Sequence, residues 1–278
     1  MFKTIHLKEI YTQLNTSGDP TLEVLVQDEP REQFIGRENV KPRPAVLILP
    51  GGGYGMTWIG EGKPVAYGFM ADGCNCFVLH YSVAPNTYPE QILEVALALD
   101  YIYNNAEKFN VDTKKIAIIG FSAGGHLAAS YCTIRNTALT NIFENPKPVS
   151  AAILCYPVIT AGHTHYGSIT NLLGKTEISP EERDLLSLEK HVDSSVTPPT
   201  FIWTTSEDNS VNPKNSLMYA TALQDAGIKY ELHIFPYGAH GLSTGKLGVV
   251  DNATHPSIKY MSVWQDLARN WLRDLFDF

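Results

Sequence analysis

A serine flanked by glycines has the clearest chemical potential in this sequence. Ser122 stands in Gly120–Gly124, GFSAG, between an apolar strand pattern at Lys115–Gly120 and a helical pattern at His126–Arg135. The G-x-S-x-G spacing is typical of a sharp strand-to-helix turn that presents a strained serine hydroxyl as a nucleophile. A glycine-rich phosphate loop is the alternative, but the chain lacks the G-x-x-x-x-G-K-S/T spacing. The pattern favours Ser122 as a nucleophile.

A serine hydroxyl needs a base, and the base needs an acid to orient it. Among nine histidines, His240 follows the last predicted core strand, Tyr230–Pro236, so it can reach the carboxyl edge of the sheet. Asp208 lies two residues beyond the strand Thr200–Ser206 and is the preferred acid. Its neighbour Glu207 remains the alternative. We therefore expect Asp208 and His240 to act with the nucleophilic serine.

An acyl-transfer intermediate carries negative charge on the former carbonyl oxygen and needs hydrogen-bond donors there. The backbone N–H of Ala123 begins the helix after the serine, where the helix dipole favours an anion. Further donors are expected from Pro50–Tyr54, PGGGY, which follows an early strand. Three successive glycines let backbone N–H groups turn inward without obstruction by side chains.

Strands and helices alternate through most of the chain, and the strands are nearly continuous apolar runs. Such runs separated by helices predict an α/β fold with a mostly parallel central sheet and helices on both faces. Glu23–Val26 alternates more weakly and is expected in an antiparallel edge strand. The predicted core strands are Ala45–Pro50, Cys76–Tyr81, Lys115–Gly120, Ala151–Pro157, Thr200–Ser206 and Tyr230–Pro236.

We expect one domain over residues 1–278, with an insertion at 158–199 that is too long for an ordinary connection between core strands. Within it, Ser179-Pro180-Glu181-Glu182 predicts a capped helix start. The insertion, and Gly241–Ser257 with less support, could form a lid or rim. Tyr54, Trp58 and His163 are weaker candidates for substrate-binding walls.

Composition excludes several classes of function. The 278 residues carry 21 basic and 29 acidic side chains, a net charge of −8, which disfavours nucleic acid or an anionic membrane as a partner. Four cysteines are too few for a disulfide framework and are expected to be reduced. His163 and His165 make a weak metal site, so no metal or cofactor is expected. Lacking an apolar leader, the chain is expected in the cytoplasm, and a homo-oligomer is left open.

With these motifs in place, the chain resembles the α/β-hydrolase carboxylesterases. More narrowly, it is similar to the acetyl-xylan-esterase-like group related to hormone-sensitive-lipase-type bacterial esterases. The chain order serine, acid, histidine agrees with that fold. The matching stretches are Leu49–Tyr54, His80–Pro85, Gly120–His126, Pro198–Trp203 with Asp208 and Val211, Asn215–Leu217, and His240–Leu242.

The resemblance implies Ser122 as nucleophile, Asp208 as orienting acid and His240 as general base. It also implies oxyanion donors at Gly52, Gly53 and Ala123 and a preference for acetyl esters. The chain departs from the hormone-sensitive-lipase pattern at Pro50, often histidine, and at Ser82, often arginine. After Asp208 the usual D-x-x-V-P reads DNSVN, with proline one place later at Pro213.

These expectations combine into a serine carboxylesterase that hydrolyses short-acyl esters, including acetylated sugars or xylo-oligosaccharides, through an acyl-enzyme. The same three side chains could instead cleave amides, as in an amidase, formamidase or peptidase. A non-catalytic binding protein on the same fold is the remaining alternative. It is disfavoured because all three positions are occupied by suitable residues.

Overall fold

One sheet contains eight strands within the described residues, which are 1–14, 16–28, 36, 40–162, 166–246, 248–250 and 256–278 of this computed structural model. Its order is β1-β2-β4-β3-β5-β6-β7-β8. β1 pairs with β2, and β2 with β4, in antiparallel fashion, whereas β3 to β8 are mutually parallel. The strands are β1 Phe2–His6, β2 Thr21–Leu25, β3 Arg43–Leu49, β4 Asn75–His80, β5 Val111–Phe121, β6 Ala151–Cys155, β7 Thr200–Thr205 and β8 Tyr230–Phe235.

Helices cover both faces of this sheet. They are α1 Leu7–Ile10, α2 Lys63–Ala71, α3 Glu90–Asn104, α4 Ala106–Phe109, α5 Ala123–Ala138, α6 Tyr166–Leu173, α7 Pro180–Leu185, α8 Lys214–Asp225, α9 Pro256–Met261 and α10 Trp264–Phe276. On one face α3, α5 and α8 bury apolar side chains in a common core. On the other face α2 and α10 form a second core, which includes Phe69, Trp203 and Trp264.

The predicted mostly parallel sheet with helices on both faces is confirmed, and so is the antiparallel edge before it. Each predicted core strand is present, with bounds shifted by up to four residues. The apolar runs specify these strands because β3, β4, β5, β6 and β7 are buried on both faces. The edge strand β8 is half-exposed instead.

The segment 158–199 lies between β6 and β7 and contributes α6, α7 and a 3-10 turn at Leu188–His191. α7 begins with the predicted capping box, in which the Ser179 side chain accepts from the Glu182 backbone and Glu182 accepts from the Ser179 backbone. The segment buries apolar side chains in the same core as α5. Its role as a lid stays a prediction.

All four cysteines are buried and free, as the sequence indicates. Burial raises the pKa of the Cys74 and Cys132 thiols to about 12, so both remain protonated at neutral pH. Within the ranges given above, no helix has the length and apolar character needed to cross a membrane.

Helix α5 approaches the end of β3 so closely that a side chain at Gly124 has no room. A Cβ there would lie 2.2 Å from the Leu49 carbonyl oxygen and 2.5 Å from that of Pro50. We expect Gly124→Ala to lower the free energy of unfolding by about 1–3 kcal/mol, because backbone must shift. Urea denaturation followed by circular dichroism measures the change.

Gly167 in α6 is the matched control, because a Cβ there would meet nothing within 4 Å. We expect Gly167→Ala to be neutral or to stabilise the protein by up to about 1 kcal/mol, from helix propensity. Equal stability of the two variants would contradict the close approach of α5 to β3.

Candidate active site

Ser122 occupies the turn between β5 and α5 in a backbone conformation that serine rarely adopts. Its φ is 52° and its ψ is −116°. A Cβ at Gly120 would lie 2.2 Å from the Gly124 carbonyl oxygen, so the turn closes only with glycine on both sides of the serine. The Ser122 N–H donates to the Cys155 carbonyl at 3.0 Å, which ties the turn to the neighbouring strand β6. The sequence pattern therefore predicted this turn correctly.

Three side chains from separate loops form one line of hydrogen bonds. His240 Nε2 lies 2.8 Å from Ser122 Oγ, and His240 Nδ1 lies 2.7 Å from Asp208 Oδ2. Because an ionised carboxylate only accepts, the Nδ1 proton points to Asp208 and Nε2 accepts from the serine hydroxyl. This geometry allows the imidazole to take the serine proton.

Asp208 is buried, and its second oxygen is also satisfied. Asp208 Oδ1 accepts from the backbone N–H groups of Ser210 at 3.0 Å and Val211 at 2.8 Å. The side chain is only 1% exposed, against 19% for His240. These backbone bonds fix the carboxylate in the loop after β7, so the other oxygen is held toward the imidazole.

Glu207, the alternative acid, has a different contact. Its Oε2 accepts from the Gly238 N–H at 3.0 Å, two residues before His240. The Thr205 hydroxyl donates to the Gly238 carbonyl at 2.5 Å. Glu207 and Thr205 thus hold the loop that carries the imidazole, and of the two neighbouring acids it is Asp208 that hydrogen-bonds to the ring.

The glycine loop lies beside Ser122 and borders a cavity of about 360 Å³. Gly52 and Gly53 both have positive φ, 134° and 64°, which turns the loop back on itself. Within the described part of the chain, no carbonyl or side chain accepts from the N–H of Gly52, Gly53 or Ala123. The cavity walls include Gly52, Gly53, Met56, Trp58, Ser122 and His240.

Trp58 lines this cavity, as proposed from the sequence. The indole packs over Gly60, where a Cβ would lie 2.5 Å from ring atom Cζ2. His163, the other pocket candidate from the insertion, lies outside the described residues. Asn171 of the same insertion donates to the Gly53 carbonyl at 2.9 Å and so contacts the glycine loop.

Tyr54 is not a pocket wall, contrary to the sequence-based expectation. Its φ of 58° turns the side chain into the core, where it is fully buried. Its hydroxyl donates to Nδ1 of His126 at 2.9 Å, and His126 Nε2 donates to the Leu186 carbonyl at 3.0 Å. Burial lowers the pKa of His126 to about 4, so this histidine is neutral and serves packing.

Glu61 lines the cavity and was missed in the sequence. It is 2% exposed, and burial raises its pKa to about 7. Its carboxylate accepts from the Gly51 N–H and the Tyr156 hydroxyl, both at 2.6 Å. The available signal was a lone acid between Gly60 and Gly62, ten residues after the first glycine of the loop.

A metal centre finds no support in the side chains near this site. In the part of the chain that the structure covers, no group of three or more His, Cys, Asp or Glu side chains could hold a metal ion. The Ser122, His240 and Asp208 side chains are occupied with one another.

Known proteins similar to this chain are named as esterases and related hydrolases. The chain is 38% identical over 221 residues to endo-1,4-beta-xylanase B of Butyrivibrio fibrisolvens, covering 76% of this chain and 34% of that protein. It is 29% identical over 237 residues to an acetylxylan esterase of Xylanibacter ruminicola, covering 83% and 45%. The chain thus spans about a third and about half the length of these two relatives.

Two solved structures are similar to this chain over nearly its whole length. The acetyl ester-xyloside bifunctional hydrolase of Caldicellulosiruptor lactoaceticus superposes with a TM-score of 0.82 and 32% identity, covering 98% of this chain and 96% of that one. An α/β hydrolase, MGS-M1, from a deep-sea metagenome library superposes with a TM-score of 0.75 and 31% identity, covering 100% of this chain and 98% of that one. The BD-FAE family model matches residues 34–223, which include Ser122 and Asp208. The chain belongs to the BD-FAE family and has the α/β-hydrolase fold.

Proposed function

We propose that this protein is a serine carboxylesterase that removes short acyl groups, acetyl above all, from acetylated sugars or xylo-oligosaccharides. The observation that carries the proposal is the imidazole of His240, held between Ser122 Oγ at 2.8 Å and Asp208 Oδ2 at 2.7 Å. The names of the acetylxylan esterase and acetyl ester-xyloside hydrolase relatives support the substrate class.

The proposed reaction begins when Ser122 Oγ attacks the ester carbonyl and its proton passes to His240 Nε2. Asp208 stabilises the imidazolium through the Nδ1 hydrogen bond. Collapse of the tetrahedral intermediate breaks the ester C–O bond, and the leaving alcohol takes the proton from His240. Water then attacks the acyl-enzyme, again losing a proton to His240, and acetate leaves with the serine hydroxyl restored.

The proposed oxyanion donors are the backbone N–H groups of Gly52, Gly53 and Ala123. They border the cavity or begin α5, and no carbonyl or side chain in the described ranges takes their hydrogen bonds. Loss of one such donor in other hydrolases costs about 2.7–4 kcal/mol of transition-state stabilisation. No step in this reaction needs a metal or an organic cofactor.

Cavity size supports a small substrate. A volume of about 360 Å³ lies near the lower end of the ~300–1,000 Å³ typical of ligand sites. The substrate is a small-molecule ester; the cytoplasmic location and a homo-oligomer stay predictions.

Ser122→Ala tests the nucleophile. We expect hydrolysis of p-nitrophenyl acetate to fall by on the order of 10⁴–10⁶-fold, because no acyl-enzyme can form. Ser130→Ala is the matched control: Ser130 lies on α5, and its hydroxyl donates only to the His126 carbonyl at 2.8 Å. Ser130→Ala should keep near-wild-type activity. Wild-type turnover by Ser122→Ala, with an unchanged circular dichroism spectrum, would refute the proposed nucleophile.

A substrate panel separates ester from amide hydrolysis. We expect kcat/KM to be highest for acetate in a series of p-nitrophenyl acyl esters, and we expect acetate release from acetylated xylosides. The matched anilide, p-nitroacetanilide, should be cleaved far more slowly. A kcat/KM for the anilide equal to or above that of the ester would favour the amidase alternative.

The two neighbouring acids should differ in their effect on catalysis. We expect Asp208→Asn to lower kcat by about 10⁴-fold, because the amide favours the wrong imidazole tautomer. Glu207→Gln should cost less than about 10-fold, since among the described residues its carboxylate accepts from the Gly238 N–H and not from the imidazole. Steady-state kinetics on p-nitrophenyl acetate measures both. A larger loss in Glu207→Gln than in Asp208→Asn would reverse the assignment.

Trp58 offers an aromatic face beside Ser122 for the sugar part of the substrate. We expect Trp58→Ala to raise KM for acetylated xylosides by about 10-fold and to leave KM for p-nitrophenyl acetate within about 3-fold. Trp58→Phe keeps an aromatic face and should retain most of the affinity. Equal effects of Trp58→Ala on both substrates would contradict a sugar-binding role.

A further inference from the structure

Glu61 joins two loops of the site that are far apart in the chain. Its Oε2 accepts the Gly51 N–H at 2.6 Å, at the start of the glycine loop. Its Oε1 accepts the Tyr156 hydroxyl at 2.6 Å, at the end of β6. Both partners donate, so each oxygen of the ionised carboxylate accepts from one of them, whereas the carboxylic acid places its own O–H on one of these oxygens and competes with the donor there.

Tyr156 extends this connection to the loop that carries the imidazole. Its phenolic oxygen accepts the Ser243 N–H at 2.9 Å, three residues beyond His240. Its ring meets the His240 ring edge to face, with 5.0 Å between centroids. The Ser243 hydroxyl donates to the Gly60 carbonyl at 2.5 Å, so the His240 loop is also bonded to the residue before Glu61.

We propose that Glu61 is a positioning residue of the esterase reaction, whose ionised carboxylate holds the glycine loop and the His240 loop together through Gly51 and Tyr156. The proposal rests on the proposed function, because it concerns how the donors and the base of that reaction are kept in place. Glu61 does not contact the reacting atoms; it acts through the two loops. A displacement of about 1 Å at such groups can cost 10²-fold in rate.

The titratable groups that face Glu61 come from several elements. Tyr81 follows β4, Cys155 and Tyr156 lie at the end of β6, and His240 follows β8. Burial raises the pKa of Tyr81, Cys155 and Tyr156, so all three stay neutral through the assay range. His240 is the facing group that the proposed reaction uses as a base.

The sign of the pH effect follows from the donors. Burial raises the pKa of Glu61 to about 7, and protonation below that pH places an O–H against the Gly51 N–H or the Tyr156 O–H. His240 must also be neutral to accept the serine proton. Activity therefore needs two groups deprotonated, and both deprotonate as pH rises. If loss of the charge costs about 10- to 100-fold in rate, log kcat/KM against pH should be steeper than a slope of one over about one to two pH units below the Glu61 pKa.

The test compares pH profiles of kcat/KM for p-nitrophenyl acetate from pH 4.5 to 8.5. Glu61→Gln removes the ionisation, so its acid-side slope should fall to one, with kcat at pH 8 lowered about 10- to 100-fold and KM within about 3-fold. Glu94→Gln is the matched control, because Glu94 is also buried and accepts the Ser82 N–H at 2.6 Å. Its pKa is raised to about 8, yet its variant should keep the wild-type slope.

Tyr156→Phe keeps the proposal testable if Glu61→Gln does not fold. The tyrosine hydrogen bond lowers the pKa of Glu61, so its removal should move the Glu61 ionisation to higher pH and keep an acid side steeper than a slope of one. A wild-type slope of one, or a Glu61→Gln profile parallel to wild type, would overturn the role of Glu61 and leave the esterase standing. If the wild type neither hydrolyses esters nor reacts with a fluorophosphonate, the proposed function fails, and the Glu61 proposal falls with it.

Discussion

The site depends on bringing one imidazole back across the sheet. Ser122 follows β5 and His240 follows β8, and β6 and β7 lie between these strands. At about 4.8 Å between neighbouring strands, the carboxyl ends of β5 and β8 are separated by roughly 14 Å. Ser122 Oγ and His240 Nε2 are nevertheless 2.8 Å apart. The loop after β8 must therefore turn back toward β5. Hydrogen bonds of Gly238 with Glu207 and Thr205 hold the start of this loop beside the end of β7.

The turn at Ser122 also has to bring its hydroxyl to the imidazole, and it does so through a strained backbone conformation. A non-glycine residue at φ 52° and ψ −116° costs on the order of 1–3 kcal/mol and persists only where its surroundings enforce it. Here the Ser122 N–H donates to Cys155, and the Ser122 carbonyl accepts from Val158 and His126. Strand β6 and helix α5 thus hold the strained residue from both directions, and the hydroxyl is left pointing at the imidazole.

The sequence predicted what depends on burial and strand position. Apolar runs specify a parallel sheet, and residues just beyond its strands share one edge, so Ser122, Asp208 and His240 could be inferred. It could not predict that a positive φ turns Tyr54 into the core. It also gave no reason to bury Glu61, because a lone glutamate in a glycine-rich loop is usually solvated. The choice between Asp208 and Glu207 required the structure, in which Glu207 accepts from the Gly238 N–H and Asp208 contacts the imidazole.

Two buried carboxylates, Asp208 and Glu61, lie near the imidazole, and their hydrogen bonds differ. Asp208 accepts two backbone N–H groups and the imidazole, so its position is set within its own loop. Glu61 instead accepts one donor from each of two distant segments, since Gly51 and Tyr156 are 105 positions apart in the sequence. Burial disfavours the charge on Glu61, whereas the hydrogen bonds from Gly51 and Tyr156 favour it. The ionised form of Glu61 therefore depends on both donors staying in place. In the proposed reaction Asp208 therefore orients the base, and Glu61 couples the His240 loop to the glycine loop proposed to stabilise the oxyanion.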